Sequence, residues 1–205
     1  SAAAYQPKQD RLWLLSDAPI GHLVPWGGLA QWLEGQRDTL RPGRRLLLRR
    51  GDGQPLPEGF DGEGLVIEGR QAWIASEGRR SQDRRARLIR IDLASGQLQQ
   101  ELPLPQAWRA TPGQGLGSNK GPESLTALAP GDLLLAAEAP LLQHQTEDGI
   151  SLMRRAPGDA LRTAGALDVG AAGRHDGLTE LLALPTRQQL LGLRRGFAPP
   201  DQWTA

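Results

Sequence analysis

The chain has 205 residues, with 24 Lys and Arg against 23 Asp and Glu, a net charge of +1 and no cysteine. That length suffices for a sizeable core, while the charge balance gives no global attraction to nucleic acid or membrane. Disulfides and thiolate metal sites are excluded; no apolar run is long enough to span a bilayer, and no signal-peptide core stands among the first residues.

In chain order, residues 1–5 read as a strand, and residues 12–17 as its returning partner ending at Asp17. One or two helical turns are expected near residues 29–34. Leu65-Val66-Ile67, the turn Glu68-Gly69-Arg70, and Ala72 to Ala75 around Trp73 form a hairpin by composition, since short runs of Val, Ile and Trp bounded by Gly favour strands. After Glu77 a polar stretch leads to residues 88–92, the turn Ala94-Ser95-Gly96, and residues 98–102. Pro103 and Pro105 end that run, because proline lacks the N–H a central strand donates. Residues 121–138 repeat the hairpin around Pro130 and Gly131, and residues 177–195 repeat it once more.

The closing positions Asp17, Glu77, Glu138 and Arg195 are spaced 60, 61 and 57 residues apart. A recurring unit of four short antiparallel strands has the size of a propeller blade. The expected fold is therefore all-β: a β-propeller of four-stranded antiparallel blades, present as an incomplete arc of about three and a half blades. Its units are residues 1–55, 61–105, 121–169 and 175–205, with the fourth stopping just after its second strand. Closed propellers have about 4–8 blades. The expectation is that this is a piece of a larger domain or that another chain completes the ring. Open strand edges are adhesive, so self-association is expected.

Simple hairpin counting places Glu63 opposite Ser76 or Glu77, Glu123 opposite Glu138, and Glu180 opposite Arg194 or Arg195. Directly opposed like charges repel, and two close carboxylates push one pKa up. Either both side chains splay into water at a blade end, or a cation or basic side chain lies between them. Acidic oxygens gathered on one face suit Ca²⁺, which takes about 6–8 oxygen ligands. Asp17, Glu63, Glu77, Glu123 and Glu138 are the candidate metal ligands, with Glu63 and Glu123 as candidate catalytic carboxylates. Arg195 either neutralises its own blade or meets an anionic substrate.

Residues 113–121 resemble a phosphate-cradling loop, yet Lys120 is followed by Gly121 and a strand, so this is no Walker A motif. Asn119 and Lys120 stand at the mouth of the acidic face as candidate substrate-binding residues. No Gly-x-Ser-x-Gly elbow exists, which disfavours the usual α/β serine hydrolase. His22, His144 and His175 lie far apart; His175 precedes the fourth unit and ranks below the glutamates as a site residue. The arginines at 41–50 and 79–87 read as solvated connections rather than a nucleic-acid surface. Trp13 and Trp73 occupy equivalent positions and are expected to pack between blades.

Four stretches together resemble the phytase-like propellers described as "esterase-like activity of phytase". They are Asp61-x-Glu63-Gly64-Leu65 leading to Trp73-Ile-Ala-Ser-Glu77-Gly78; Arg90-Ile-Asp-Leu-x-x-Gly96 with Leu102-Pro-Leu-Pro105; Asn119-Lys-Gly-x-Glu123-x-Leu125 leading to Ala137-Glu138; and Trp13-Leu-Leu-Ser-Asp17. The resemblance implies a β-propeller, a secreted or periplasmic location, and phosphoester or carboxylic ester hydrolysis. Two features depart from the family pattern: Pro122 and Ser124 flank Glu123, and no later acidic motif follows. The leading expectation is a metal-assisted hydrolase of small phosphoesters or carboxylic esters. The alternatives are a non-catalytic propeller that binds a ligand or partner on its acidic face, and a Ca²⁺-dependent lactonase.

Overall fold

The structure is a computed structural model that describes residues 1–16, 18, 20–56, 60–78, 85–144, 149–169, 176–198 and 202–204. The first sheet holds β1 (Ala2–Gln6), β2 (Arg11–Ser16), β3 (His22–Gly27) and β4 (Arg41–Pro42), with β5 (Leu46–Leu47) also on β3. The second holds β6 (Gly62–Glu68), β7 (Gln71–Ser76), β8 (Arg87–Asp92) and β9 (Leu98–Pro103). The third holds β10 (Pro122–Ala129), β11 (Asp132–Ala137), β12 (Gly149–Arg155) and β13 (Arg162–Asp168). The fourth holds β14 (Gly177–Leu184), β15 (Gln189–Ala198) and β16 (Gln202–Thr204).

Strand pairing is antiparallel throughout these sheets, and in each the spatial order follows the chain. The first strands meet one another in sequence: β1 packs on β6, β6 on β10 and β10 on β14. Sheets that stack through their first strands in this way are propeller blades in an arc. The helix expected near residues 29–34 is a single short one, Leu29–Leu33. One expectation is corrected: the fourth sheet does not stop at its second strand, because Gln202–Thr204 pairs with β15 as a third.

Period-two alternation explains the packing, since successive strand residues face opposite sides. In β7, Ala72 and Ile74 join a core with Trp13, Leu15, Ile89 and Ile91 between the first two sheets. Trp73 and Ala75 join the other core, which continues through Leu125, Leu133 and Leu135 to Leu178 and Leu181. Each fully buried aliphatic side chain contributes about 1.5–3 kcal/mol.

A polar bridge recurs at the turn end of the hairpins. Trp13 Nε1 donates to Gln6 Oε1 at 3.2 Å, and Gln6 Nε2 donates to the Gly69 carbonyl of the next sheet at 2.8 Å. One repeat later, Trp73 Nε1 donates to Glu68 Oε2 at 3.3 Å, and Gly131 N–H donates to Glu68 Oε1 at 2.6 Å. Both tryptophans lie between blades, as expected. The bridge ties neighbouring sheets together at the end opposite the acid-bearing one. Among the described residues, no helix is long and apolar enough to cross a membrane.

Candidate metal centre

The acidic ends are built by a β-bulge, and this corrects the register expected from hairpin counting. In the second sheet Gly62 pairs with Ser76 and Gly64 with Ala75, so Glu63 is the extra, unpaired residue. In the third, Pro122 pairs with Ala137 and Ser124 with Ala136, leaving Glu123 in the same position. A bulge re-aims the side chain of its extra residue. Glu63 therefore does not oppose Glu77, nor Glu123 oppose Glu138. Instead Glu77 N–H donates to the Asp61 carbonyl at 3.0 Å, and Glu138 N–H to the Gly121 carbonyl at 2.9 Å.

The fourth sheet carries the same bulge one residue earlier than expected. Leu178 pairs with Arg194 and Glu180 with Leu193, so Thr179 is the counterpart of Glu63 and Glu123. Glu180 does not face Arg194 or Arg195; it follows the bulge, in line with Gly64 and Ser124. Arg195 pairs with Gly177 and stands where Glu77 and Glu138 stand in their sheets.

Although the backbone register differs, the carboxylates still converge. Oxygens of Asp61, Glu63 and Glu77 lie within 4.8 Å of one another, and so do oxygens of Glu77, Glu123 and Glu138. Glu77 belongs to both groups and joins them across the boundary between the second and third sheets. Asp61 was absent from the expected ligands. It has φ 53°, the left-handed region that Asp tolerates better than most residues, and this conformation turns the chain into β6. Its two-residue spacing to Glu63 was the available sequence signal. Asp17 and His175 lie outside the described residues, as do Arg79, Arg80 and Arg84.

The partners of these carboxylates are specific. Gly121 N–H donates to Glu77 Oε1 at 2.9 Å. Lys120 Nζ donates to Glu138 Oε1 at 2.5 Å, so Lys120 engages the acidic cluster itself. Glu138 is only 8% exposed, and its Oε2 is buried without a hydrogen-bond partner. The Ser1 amino group contacts Glu63. Burial pushes the Glu77 carboxyl up to about 7; the Gly121 N–H opposes this, and Asp61, Glu138 and Glu63 add to it. Burial, reinforced by Glu63, Glu138 and Glu77, pushes Glu123 up to about 8. Glu63 is raised by burial, against the pull of the Ser1 amino group, and Glu180 is raised chiefly by burial.

These observations fit a divalent cation. The donors are all carboxylate oxygens, the set hard cations prefer. A buried carboxylate oxygen without a partner is costly unless something positive meets it. Glu77, Glu123 and Glu138, with Asp61 and Glu63 beside them, are the residues that would hold such an ion. Beside them opens a cleft of about 1040 Å³, lined by Asp61, Glu77, Arg87, Arg109, Trp108 and Asn119. Asn119 is exposed at its rim, in a left-handed conformation with φ 54°.

Comparison with curated proteins found no match. Among solved structures, apo AztD from Citrobacter koseri is similar at 11% identity and a TM-score of 0.43, over 98% of this chain and 44% of that one. The chain thus spans less than half the length of that protein. The model of the phytase-like family described as "Esterase-like activity of phytase" matches residues 1–205. The bulge-borne glutamates and the tryptophan hairpins lie wholly within that match, and the chain belongs to this family.

Proposed function

We propose that this propeller is a metal-assisted hydrolase of phosphoesters or carboxylic esters, with Ca²⁺ as the ion that best suits the donors. The observation that supports this reading is the pair of carboxylate groups sharing Glu77, with the buried, unpartnered Oε2 of Glu138 at one of them. When bound, such an ion polarises a phosphoryl or carbonyl oxygen and acidifies water.

The chain's own residues supply the rest. Lys120 and Gly121 N–H each hold one carboxylate oxygen and leave the other available. Glu63 and Glu123 project from the bulges, and burial raises both carboxyls above the ordinary value, Glu123 to about 8. A carboxylate so tuned accepts a proton from an attacking water more effectively than an ordinary one. The adjoining cleft supplies Arg87, Arg109 and Asn119 to orient an anionic or polar substrate, and the apolar wall of Leu104 and Trp108 to limit water. Arg195 lies on the same rim position in the fourth sheet and serves as a further anion contact. A lactone, being a cyclic carboxylic ester, falls within the same chemistry. A periplasmic or extracellular location is part of this proposal, and the family likeness supports it.

A second reading is a non-catalytic propeller that binds a ligand or partner on this face. The Lys120–Glu138 ion pair supports it, because a resident cation already neutralises part of the cluster. Hydrolysis of aryl phosphomonoesters and aryl carboxylic esters, with and without chelator, separates the two. The enzyme reading expects turnover that chelation abolishes, Ca²⁺ restores, and Glu123→Gln lowers by about 10²–10⁴-fold. Turnover indifferent to chelator and to Glu123→Gln contradicts it.

A further inference from the structure

A second cleft opens between the first and second sheets, away from the acidic centre. Its volume is about 640 Å³, a size that suits a small ligand. Arg44, Arg45 and Arg49 line it from the first sheet's closing connection, and Leu47, Leu93 and Trp13 give it an apolar floor. Its second-sheet wall is the turn that follows β8. Ser76 pairs with Arg87 and Gln71 with Asp92, so that turn stands at the end of the sheet away from Glu77. The cleft is therefore a separate place on the molecule.

The next boundary between sheets shows what can fill such a position. Trp73 pairs with Arg90, and its ring carries two guanidinium groups, Arg90 at 5.4 Å and Arg155 of the third sheet at 4.6 Å. One sheet earlier, Trp13 pairs with Pro25 in place of Arg90. Ile91 stands in the position of Arg155, since Ala72 pairs with Ile91 as Leu133 pairs with Arg155. Neither replacement carries a charge. The first boundary instead keeps its arginines on a connection, beside open space.

These arginines lack counter-charges. Among the described residues no Asp or Glu lines the cleft, and neither Arg44 nor Arg45 pairs with a carboxylate. Asp92, at the base of the β8 turn, is already occupied. Ser95 N–H and Oγ donate to its Oδ2 at 3.0 and 2.8 Å, and Arg70 lies 3.8 Å from its Oδ1. Arg49 Nη1 donates to the Gly53 carbonyl at 2.9 Å, which anchors that side chain within the connection.

We propose that this cleft binds a small organic anion, with its carboxylate or phosphate on Arg44 and Arg45 and its apolar body against Leu47, Leu93 and Trp13. The guanidinium fork matches the oxygens of either group in two parallel hydrogen bonds. A cleft lined by one sign of charge concentrates the opposite sign, and a bound anion relieves the repulsion among the three arginines. The apolar floor favours a small molecule over a nucleic-acid backbone, which follows an open basic groove.

Calorimetric titration of the metal-free protein with benzoate, phenylphosphonate and inorganic phosphate tests this. Benzoate or phenylphosphonate should bind, the tighter of the two identifying the preferred oxyanion, and inorganic phosphate should bind more weakly than phenylphosphonate. Arg44→Gln/Arg45→Gln should weaken binding about tenfold or more. Ala94→Asp, on the exposed turn that lines the cleft, should do the same by adding a negative charge there. Arg41→Gln/Arg50→Gln removes equal charge from the same connection outside the cleft and should leave affinity unchanged. No binding of any probe overturns the proposal, as does binding that Arg44→Gln/Arg45→Gln leaves intact. Equal weakening by the two arginine pairs would show diffuse electrostatic attraction and also overturns it. So does binding of a DNA duplex or of anionic vesicles with none of the small anions. No readout depends on metal or turnover, so failure here is separate from failure of the hydrolase reading.

Discussion

Gly121 lies directly against Glu77. Its N–H donates to Glu77 Oε1 at 2.9 Å, and a Cβ on Gly121 would stand 2.4 Å from Glu77 Cγ and 2.9 Å from its Cα. Gly177 stands in the same relation to Glu138 one sheet later, where a Cβ would fall 2.4 Å from Oε1. The ends of β7 and β11 thus each rest on a glycine of the next sheet. This contact holds the carboxylates at the boundary between sheets and prevents them from splaying into water.

Gly121→Ala should therefore destabilise the protein by about 1–3 kcal/mol, the usual penalty of overpacking. The clash involves Glu77 Cα, so rotation of the side chain does not relieve it. Urea unfolding of the wild type and the variant checks this. The same substitution at Gly35, whose Cβ would meet nothing within 4 Å, has no such clash and should lose less, although its φ of 69° still disfavours alanine.

Stability in the absence of metal should fall as pH rises from about 4.5 to about 8. The ordinary carboxyl value is 4.5, and folding raises Glu77 to about 7 and Glu123 to about 8. Below 4.5 these carboxyls are protonated in both states. Between 4.5 and 8 the unfolded chain has released protons that the native state retains, so the equilibrium moves toward unfolding. The penalty is complete above the folded values. Denaturant midpoints across this range should decline more steeply in the wild type than in Glu77→Gln/Glu123→Gln.

Lys120→Met removes the cation on Glu138 and leaves a buried carboxylate with neither oxygen satisfied by that lysine. The expected loss is about 1–3 kcal/mol. Adding Glu138→Gln should recover part of it, because the amide carries no charge. A double-mutant cycle at pH 7 measures the coupling. Additive losses would show that the 2.5 Å contact contributes no net stability.

Trp73 packs at 2% exposure beneath Arg155, whose guanidinium carbon lies 4.6 Å from the ring centroid. Trp73→Ala should cost about 3–5 kcal/mol. Trp32 is 45% exposed on the short helix, and its replacement by alanine should remain within about 0.5 kcal/mol. Thermal unfolding of both variants compares the two.

The blade pattern was legible because Trp13, Trp73 and their hairpins obey strand periodicity and local turn chemistry. The glutamates were legible as a recurring acid at each blade end. Their geometry was not, because a bulge inserts one residue without changing the apolar pattern on either side. Hairpin counting across that extra residue put Glu63 opposite Ser76 or Glu77 and Glu123 opposite Glu138, and selected Glu180 rather than Thr179. Asp61 was missed because a turn residue before a strand carries no periodic signal, and only its left-handed φ brings its carboxylate to Glu63 and Glu77. The third strand of the last sheet escaped notice because three residues are too few to show alternation.

The central claim is that Glu77 joins two groups of carboxylates able to hold a divalent cation. Isothermal titration of Ca²⁺ into the metal-free protein, Glu77→Gln and Glu180→Gln tests it most directly. The account expects binding by the wild type and by Glu180→Gln, and loss of binding in Glu77→Gln. No heat of binding in the wild type, or an undiminished affinity in Glu77→Gln, would contradict it.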